Sequence, residues 1–330
     1  MKKILILTGI IVLGLASYRK KSYIENEFIK IKWTIFKALS QYLQKPDFEI
    51  IAEDAFPNLK FNDPISLKFI KIKDKETLFV LERGGELKKI DLIHKKAFTI
   101  LRLNNIVNQD LLKGAIDFTY LDTKNTSLLL VIYSKKVKKI NHLIVSSFPV
   151  SDFNKNIQLS SETIILDIVS KHHQGGTVEF GKDGFLYISI GDGEDTDPKN
   201  NAQDLSKLYG KILRIDIQNK GNLGYSIPTD NPYFGNKKGY REEIYAFGFR
   251  NPFRFSIDEM NNMLWVGDVG QENFEEINTV RKGGNYGWKI MEGDSCLNSK
   301  SGCQNQNLQR PIYSYKHGIE GFSITGGQIY

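Results

Sequence analysis

The chain runs to 330 residues with a net charge of +7, 41% apolar and 12% aromatic residues. That length can bury a large core, as one large β domain or two smaller ones, and the composition is that of a soluble globular protein. The excess lysine alternates with apolar residues in stretches such as KFIKIKDK and SKKVKKI, as on strands with one solvated face. No nucleic-acid-binding motif accompanies it, so the charge gives no nucleic-acid partner.

At the N-terminus, Lys2 and Lys3 precede an apolar run from Ile4 to Ala16. This is the basic and hydrophobic pair of a secretory signal. The run is short for a membrane span of about 20 residues. Arg19, Lys20 and Lys21 follow without an Ala-x-Ala site. Residues 1–17 are therefore read as a signal peptide or an uncleaved membrane anchor, with a buried helix of a cytosolic chain as the plainer alternative. Residues 18–47 carry apolar positions at helical spacing up to Pro46 and predict a helical linker.

From residue 48 to 330 the texture changes. Short β-type runs alternate with Gly, Asn, Asp and Pro turns, and no long amphipathic helix interrupts them. One pattern recurs in ETLFVLERGGELKKI, DGFLYISIGDG and NNMLWVGDVGQ: a turn, a three-residue core containing an aromatic, then a polar or glycine-rich exit. The cores Leu78-Phe79-Val80, Leu186-Tyr187-Ile188 and Leu264-Trp265-Val266 are spaced for one or more propeller blades of about 40 to 50 residues each. Radial repetition of four-stranded blades also hides sheet edges, which favours a β-propeller over a sandwich or barrel. Near its end the domain carries its two cysteines in CLNSKSGC. In an exported chain Cys296 and Cys303 close a small disulfide loop; two free buried thiols are the alternative.

Four stretches carry candidate chemistry. In SKHHQGG, His173 precedes Gln174, Gly175 and Gly176; the glycines let a flat ligand approach the backbone, and a histidine there can act as a base near neutral pH. FRNP offers the permanently charged, forked guanidinium of Arg250, followed by Asn251. GDVGQENFEEIN sets Gly270 and Gln271 beside Glu275 and Glu276, which either shape the loop or bind metal. GDGEDTD gathers Asp192, Glu194, Asp195 and Asp197, hard oxygen donors for calcium without the spacing of an EF-hand. For each there is a plainer role: a loop histidine bonded to a neighbouring blade, an inter-blade salt bridge, solvated acidic turns. GGNYGW reads as a tight backbone crossing with Trp288 as packing, and GKILRID as a buried strand.

Taken in order with AQDLSKLYGKILRIDI, YSIPTDNPY and SITGGQIY, these motifs resemble the soluble quinoprotein glucose/sorbosone (aldose sugar) dehydrogenases over residues 55–330. The resemblance implies an all-β, six-bladed propeller that oxidises the anomeric carbon of an aldose to a lactone and passes electrons to an external acceptor. The implied cofactors are pyrroloquinoline quinone (PQQ) and calcium. It makes His173 the base for the anomeric hydroxyl, sets Arg250 beside it in catalysis, and turns Gln174, Arg250 and Asn251 toward the cofactor. The Gly270 and Gln271 main-chain carbonyls would hold the calcium. His172 departs from the Asn or Asp usual in the family. The family's early Gly-Leu-Leu-Gly loop survives only in NQDLLKGAIDFTYLD, with Leu112 and Ala115 at its glycine positions, so no ligand is assigned to Gln109 or Asp110. Family members also continue beyond SITGGQIY with basic residues for the quinone carboxylates, so an incomplete last blade is expected. The alternatives are a non-enzymatic propeller that binds carbohydrate or protein and, further off, a lactone hydrolase. A periplasmic or secreted location is expected, with membrane association possible through residues 1–17.

Overall fold

A computed structural model describes residues 53–329, apart from 111, 112, 125, 220, 222, 298–302, 304–306, 319 and 320. The expected signal or anchor at 1–17 and the helical linker at 18–47 lie outside the described residues. Residues from Asp54 onward form one compact unit.

Among the described residues nearly every regular element is a strand, and apart from one short hairpin the strands pair antiparallel into four four-stranded blades. The first blade holds β1 (Pro64–Ile72), β2 (Lys75–Glu82), β3 (Glu86–Asp91) and β4 (Lys96–Arg102). The second holds β5 (Ala115–Asp122), β6 (Ser127–Val137), β7 (Ile140–Pro149) and β8 (Thr163–Val169). The third holds β9 (Val178–Phe180), β10 (Leu186–Ile190), β11 (Lys211–Ile215) and β12 (Ile244–Phe247). The fourth opens with β13 (Pro252–Ile257), β14 (Leu264–Asp268) and β15 (Phe274–Val280), then inserts the short hairpin β16 (Met291–Glu292) and β17 (Ser295–Cys296) before its outer strand β18 (Tyr313–Lys316). A disulfide joins Cys296 to Cys303 just after that hairpin. The only helical element among the described residues outside this loop is one 3-10 turn, Leu159–Ser161.

The three aromatic cores seen in the sequence are the second strands of the first, third and fourth blades. Their counterpart in the second blade is β6, whose Leu129-Leu130-Val131 core has no aromatic residue and no glycine exit, so the pattern passes over it. Two tight hairpins also lack the usual turn residues: Lys73-Asp74 and Lys138-Lys139 all take positive φ. That is the backbone of a two-residue primed turn, here without the Asn-Gly that signals it in sequence.

Alternation explains the packing. Leu129, Val131 and Tyr133 of β6 face the first blade, in a core with Phe79, Leu81 and Leu101. The intervening Leu130 and Ile132 face the third blade, with Ile188 and Leu213. A strand buried on both faces reads as a continuous apolar run, and β10 and β11 are buried at every position for the same reason. The third and fourth blades meet through Tyr187, Ile212, Phe255, Leu264 and Val266.

The first strands of the blades converge, and there the chemistry turns polar. From β13, Arg254 donates through Nη1 to the Gly176 carbonyl at 2.9 Å, and through Nη2 to those of Ile65 at 3.0 Å and Ile116 at 2.8 Å. One guanidinium thereby ties all four blades. From β1, Lys68 reaches Asp117 of β5 at 3.2 Å and Glu179 of β9 at 2.6 Å. Burial disfavours the Lys68 ammonium, but the two carboxylates outweigh it and hold its pKa above the ordinary lysine value. After β18 the chain lies along the fourth blade, where Ile324 N donates to Glu275 Oε2 at 2.9 Å and Ser256 Oγ donates to the Gly327 carbonyl. The described residues 321–329 contain no strand.

Replacing Arg254 by Met leaves three carbonyls without their donor. The expected loss is about 3 kcal/mol, the scale of buried polar groups left unsatisfied, read as a lower denaturation midpoint. An unchanged midpoint would show that Arg254 does not join the blades.

Candidate functional site

The starts of β9 and β13 and the ends of β10 and β14 lie at the same end of the third and fourth blades, because neighbouring strands run antiparallel. Four loops therefore meet there, and they are the loops that carry HHQGG, GDG, FRNP and GDVGQ. The two first strands are stitched side by side. Gly175 N donates to Asn251 Oδ1 at 3.2 Å, and Thr177 Oγ1 donates to the Phe253 carbonyl at 3.3 Å. Gly175 sits at φ +77°, and a Cβ there would lie 2.5 Å from the Ser189 carbonyl, so no other residue fits this crossing.

His173 is mostly buried, and its Nδ1 lies 2.8 Å from Asp192 Oδ1. With Nδ1–H donating to that carboxylate, Nε2 is left with its lone pair and has no partner among the described residues. Asp192 is wholly buried and fully engaged. Its Oδ1 also accepts from Glu194 N at 3.1 Å, its Oδ2 accepts from Trp288 Nε1 at 2.9 Å, and its own N–H donates to the Arg250 carbonyl at 2.8 Å. Gln174 turns its Oε1 to the Ser134 hydroxyl, while its Nε2 is buried without a partner among the described residues. That orphaned donor is the kind of group that a ligand completes.

Arg250 and Asn251 are held by Asp268, which accepts both of their backbone N–H groups, at 3.0 and 2.7 Å. The Arg250 guanidinium forks onto Gln271 Oε1 at 2.8 and 2.6 Å, donates to the Val269 carbonyl at 2.9 Å, and lies 5.6 Å from the Trp288 ring. Burial draws its pKa below the ordinary value, against the pull of Asp192 and Asp268. Gly270 closes the GDVGQ loop so tightly that a Cβ would meet the Phe274 carbonyl at 1.7 Å. Glu292 is the frame of that loop: its Oε1 accepts the N–H groups of Gln271, Glu272, Asn273 and Phe274 at 2.8 to 3.2 Å. Burial opposes its ionisation, but these donors outweigh it and keep its pKa below the usual range. The Gly270 and Gln271 carbonyls accept no hydrogen bond among the described residues.

The structure links His173, Arg250, Asn251 and Gln271 in one hydrogen-bonded network, with Gln174 following His173 and Gly270 preceding Gln271 in the chain. It also adds Asp192, Trp288 and Glu292. Nothing local in the sequence marks Trp288 or Glu292, because their partners lie 96 and about 20 residues away. Asp192 was visible only as one of four acids.

Those four acids do not assemble into the calcium site considered for them. Asp197 accepts the backbone of Asn201 and Ala202, Glu194 lies near Lys171 and Lys199, and Asp195 is exposed. Glu275 pairs with His317 at 2.6 Å and Glu276 accepts from Gly293 N at 2.6 Å, so both brace the loop. No group of three or more His, Cys, Asp or Glu side chains among the described residues could hold a metal. His172 is exposed, outside the network, and Asp110 pairs with Lys136 on the second blade.

Burial pushes the Glu276 carboxyl up from 4.5 to about 7. A raised folded-state pKa stabilises the fold below the unfolded value and loses that stabilisation as pH rises through the folded one. The denaturation midpoint should therefore fall between pH 5 and pH 8, and Glu276→Gln should flatten the slope. An equal slope in the variant would contradict this assignment.

The family model for glucose/sorbosone dehydrogenases matches residues 61–330. The HIPL1 protein of Arabidopsis thaliana is 39% identical over 181 residues, which are 48% of this chain and 26% of that protein. Aldose sugar dehydrogenase YliI of Escherichia coli is 37% identical over 119 residues, 36% of this chain and 29% of that one. The chain therefore spans under a third of either curated relative. The crystal structure of the soluble aldose sugar dehydrogenase of Escherichia coli, in its apo form, is 25% identical with a TM-score of 0.63, covering 78% of this chain and 73% of that one. Fold, motifs and matched span agree: the chain belongs to the glucose/sorbosone dehydrogenase family.

Proposed function

We propose that this chain is a PQQ-dependent oxidoreductase that converts an aldose to its lactone at the anomeric carbon. The observation that carries the reading is His173, oriented by a buried carboxylate through Nδ1 and open at Nε2, beside the orphaned Nε2 of Gln174. A quinone bearing carboxylates offers the acceptor that Gln174 lacks, so the residues fit PQQ. The two free carbonyls of Gly270 and Gln271 suit calcium, which takes oxygen ligands including backbone carbonyls. When bound, PQQ supplies the two-electron acceptor for the anomeric hydride and calcium a Lewis acid.

The chain's own residues do the rest. His173 Nε2 takes the proton of the anomeric hydroxyl, and Asp192 stabilises the imidazolium that results. Arg250 keeps a fixed positive charge beside the site, with Gln271 setting the orientation of its fork. Asn251, with its backbone locked on Asp268 and its amide on Gly175, holds the floor of the site against movement.

The Cys296–Cys303 disulfide supports a periplasmic or secreted location, where such bonds persist. No helix among the described residues is long and apolar enough to cross a membrane; attachment through residues 1–17 belongs to the same proposal. Electrons pass on to an external acceptor. In the alternative reading, the same face binds a carbohydrate or protein without redox chemistry.

Titrating the calcium-loaded protein with PQQ and then adding glucose and other aldoses separates the two. Binding followed by sugar-dependent reduction of the quinone spectrum is expected, with turnover lowered about a thousandfold in His173→Ala, within the range for loss of a general base. Absence of PQQ binding at micromolar concentration would overturn the dehydrogenase reading and leave the binding propeller.

A further inference from the structure

The reading of His173 as base leaves one question of geometry. A carboxylate has two oxygens and can swing about its Cβ–Cγ bond, and the direction of the His173 ring depends on which oxygen it meets. Asp192 Oδ1 takes the His173 Nδ1 and the Glu194 N–H, whereas Oδ2 has one partner, the indole N–H of Trp288 at 2.9 Å. Both Asp192 and Trp288 are buried, so water does not stand in readily for that donor.

Trp288 is itself fixed from several sides. Its backbone N–H donates to the Gly248 carbonyl at 2.8 Å, and its backbone carbonyl accepts from Gln203 Nε2 at 2.6 Å. The next residue, Lys289, reaches the Thr196 carbonyl at 2.9 Å, on the loop that follows Asp192. The face of the indole lies near Arg250. An indole N–H donates only and does not titrate in the working range, so it presents Asp192 with a constant donor whether His173 is neutral or protonated.

We propose that Trp288 is a positioning residue, whose indole N–H locks the Asp192 carboxylate and so holds His173 with Nδ1 inward and Nε2 toward the substrate. This rests on His173 as base; it makes Trp288 more than the packing residue its motif suggests.

The test is Trp288→Phe, which keeps a ring beside Arg250 and removes the donor. With PQQ and calcium bound, kcat should fall about tenfold, a barrier rise of about 1.4 kcal/mol, while KM for the sugar stays near that of the parent and the denaturation midpoint drops modestly, because one buried carboxylate oxygen loses its donor. Independently of turnover, the low-field proton resonance of the His173–Asp192 hydrogen bond, assigned by its loss in His173→Ala, should broaden into the baseline in Trp288→Phe. An unchanged resonance overturns the proposal. Should Trp288→Phe fail to fold, Asp192→Asn gives the second measure. Of the three indole N–H resonances of the chain, that of Trp288, assigned by elimination with Trp33→Phe and Trp265→Phe, should move upfield, and no movement overturns the proposal. Both resonance measurements stand even if no sugar is oxidised, so failure of the dehydrogenase reading remains distinguishable from failure of this one.

Discussion

The guanidinium of Arg254 is the constraint on which the arrangement depends. Four strands meet where their first residues turn polar, and their carbonyls would be buried without donors if nothing answered them. Arg254 answers three, and Lys68 with Asp117 and Glu179 closes the same region with paired charge. Burying ions is costly unless each is matched and hydrogen-bonded. Here the matching partners come from different blades, so the cost is met only when the blades take their places. The apolar cores between blades supply adhesion, but the polar axis supplies register.

The same strand that fixes the axis fixes the site. Arg250, Asn251 and Arg254 belong to one stretch, FRNPFR, at the start of β13. Its neighbour at the start of β9 is bound to it through Gly175, Gly176 and Thr177. Any shift of the axis would therefore move Asn251 against Gly175 and disturb His173 two residues earlier. Around this pair, buried acids act as backbone clamps rather than as a metal cage: Asp268 for FRNP, Glu292 for the GQENF loop, Glu275 and Glu276 for its flanks. Among the described residues this leaves four groups without a partner: Nε2 of Gln174, Nε2 of His173, and the carbonyls of Gly270 and Gln271.

Much of this was legible in the sequence. The LFV, LYI and LWV cores marked three blades because an aromatic strand flanked by turns survives as a local pattern. The second blade was hidden because β6 fills the same place with leucine and valine. HQGG, FRNP and GDVGQ were recognisable as motifs, and folding brings them together. What could not be read were the contacts made across the fold. Trp288 looked like packing, Glu292 like nothing in particular, and Asp192 like one donor among four, since each owes its role to residues from another loop or blade. The acidic run GDGEDTD gathers hard oxygen donors, but each finds its own partner: Asp192 meets His173 and Trp288, Asp197 the backbone of Asn201 and Ala202, and Glu194 lies near Lys171 and Lys199.

A crystal structure of the chain with PQQ and calcium tests the central claim most directly. The account predicts the quinone against His173, with Gln174 Nε2 within hydrogen-bonding distance of one of its acceptors and the Gly270 and Gln271 carbonyls on the calcium. PQQ bound elsewhere on the propeller, with Gln174 Nε2 still unpartnered, would contradict it.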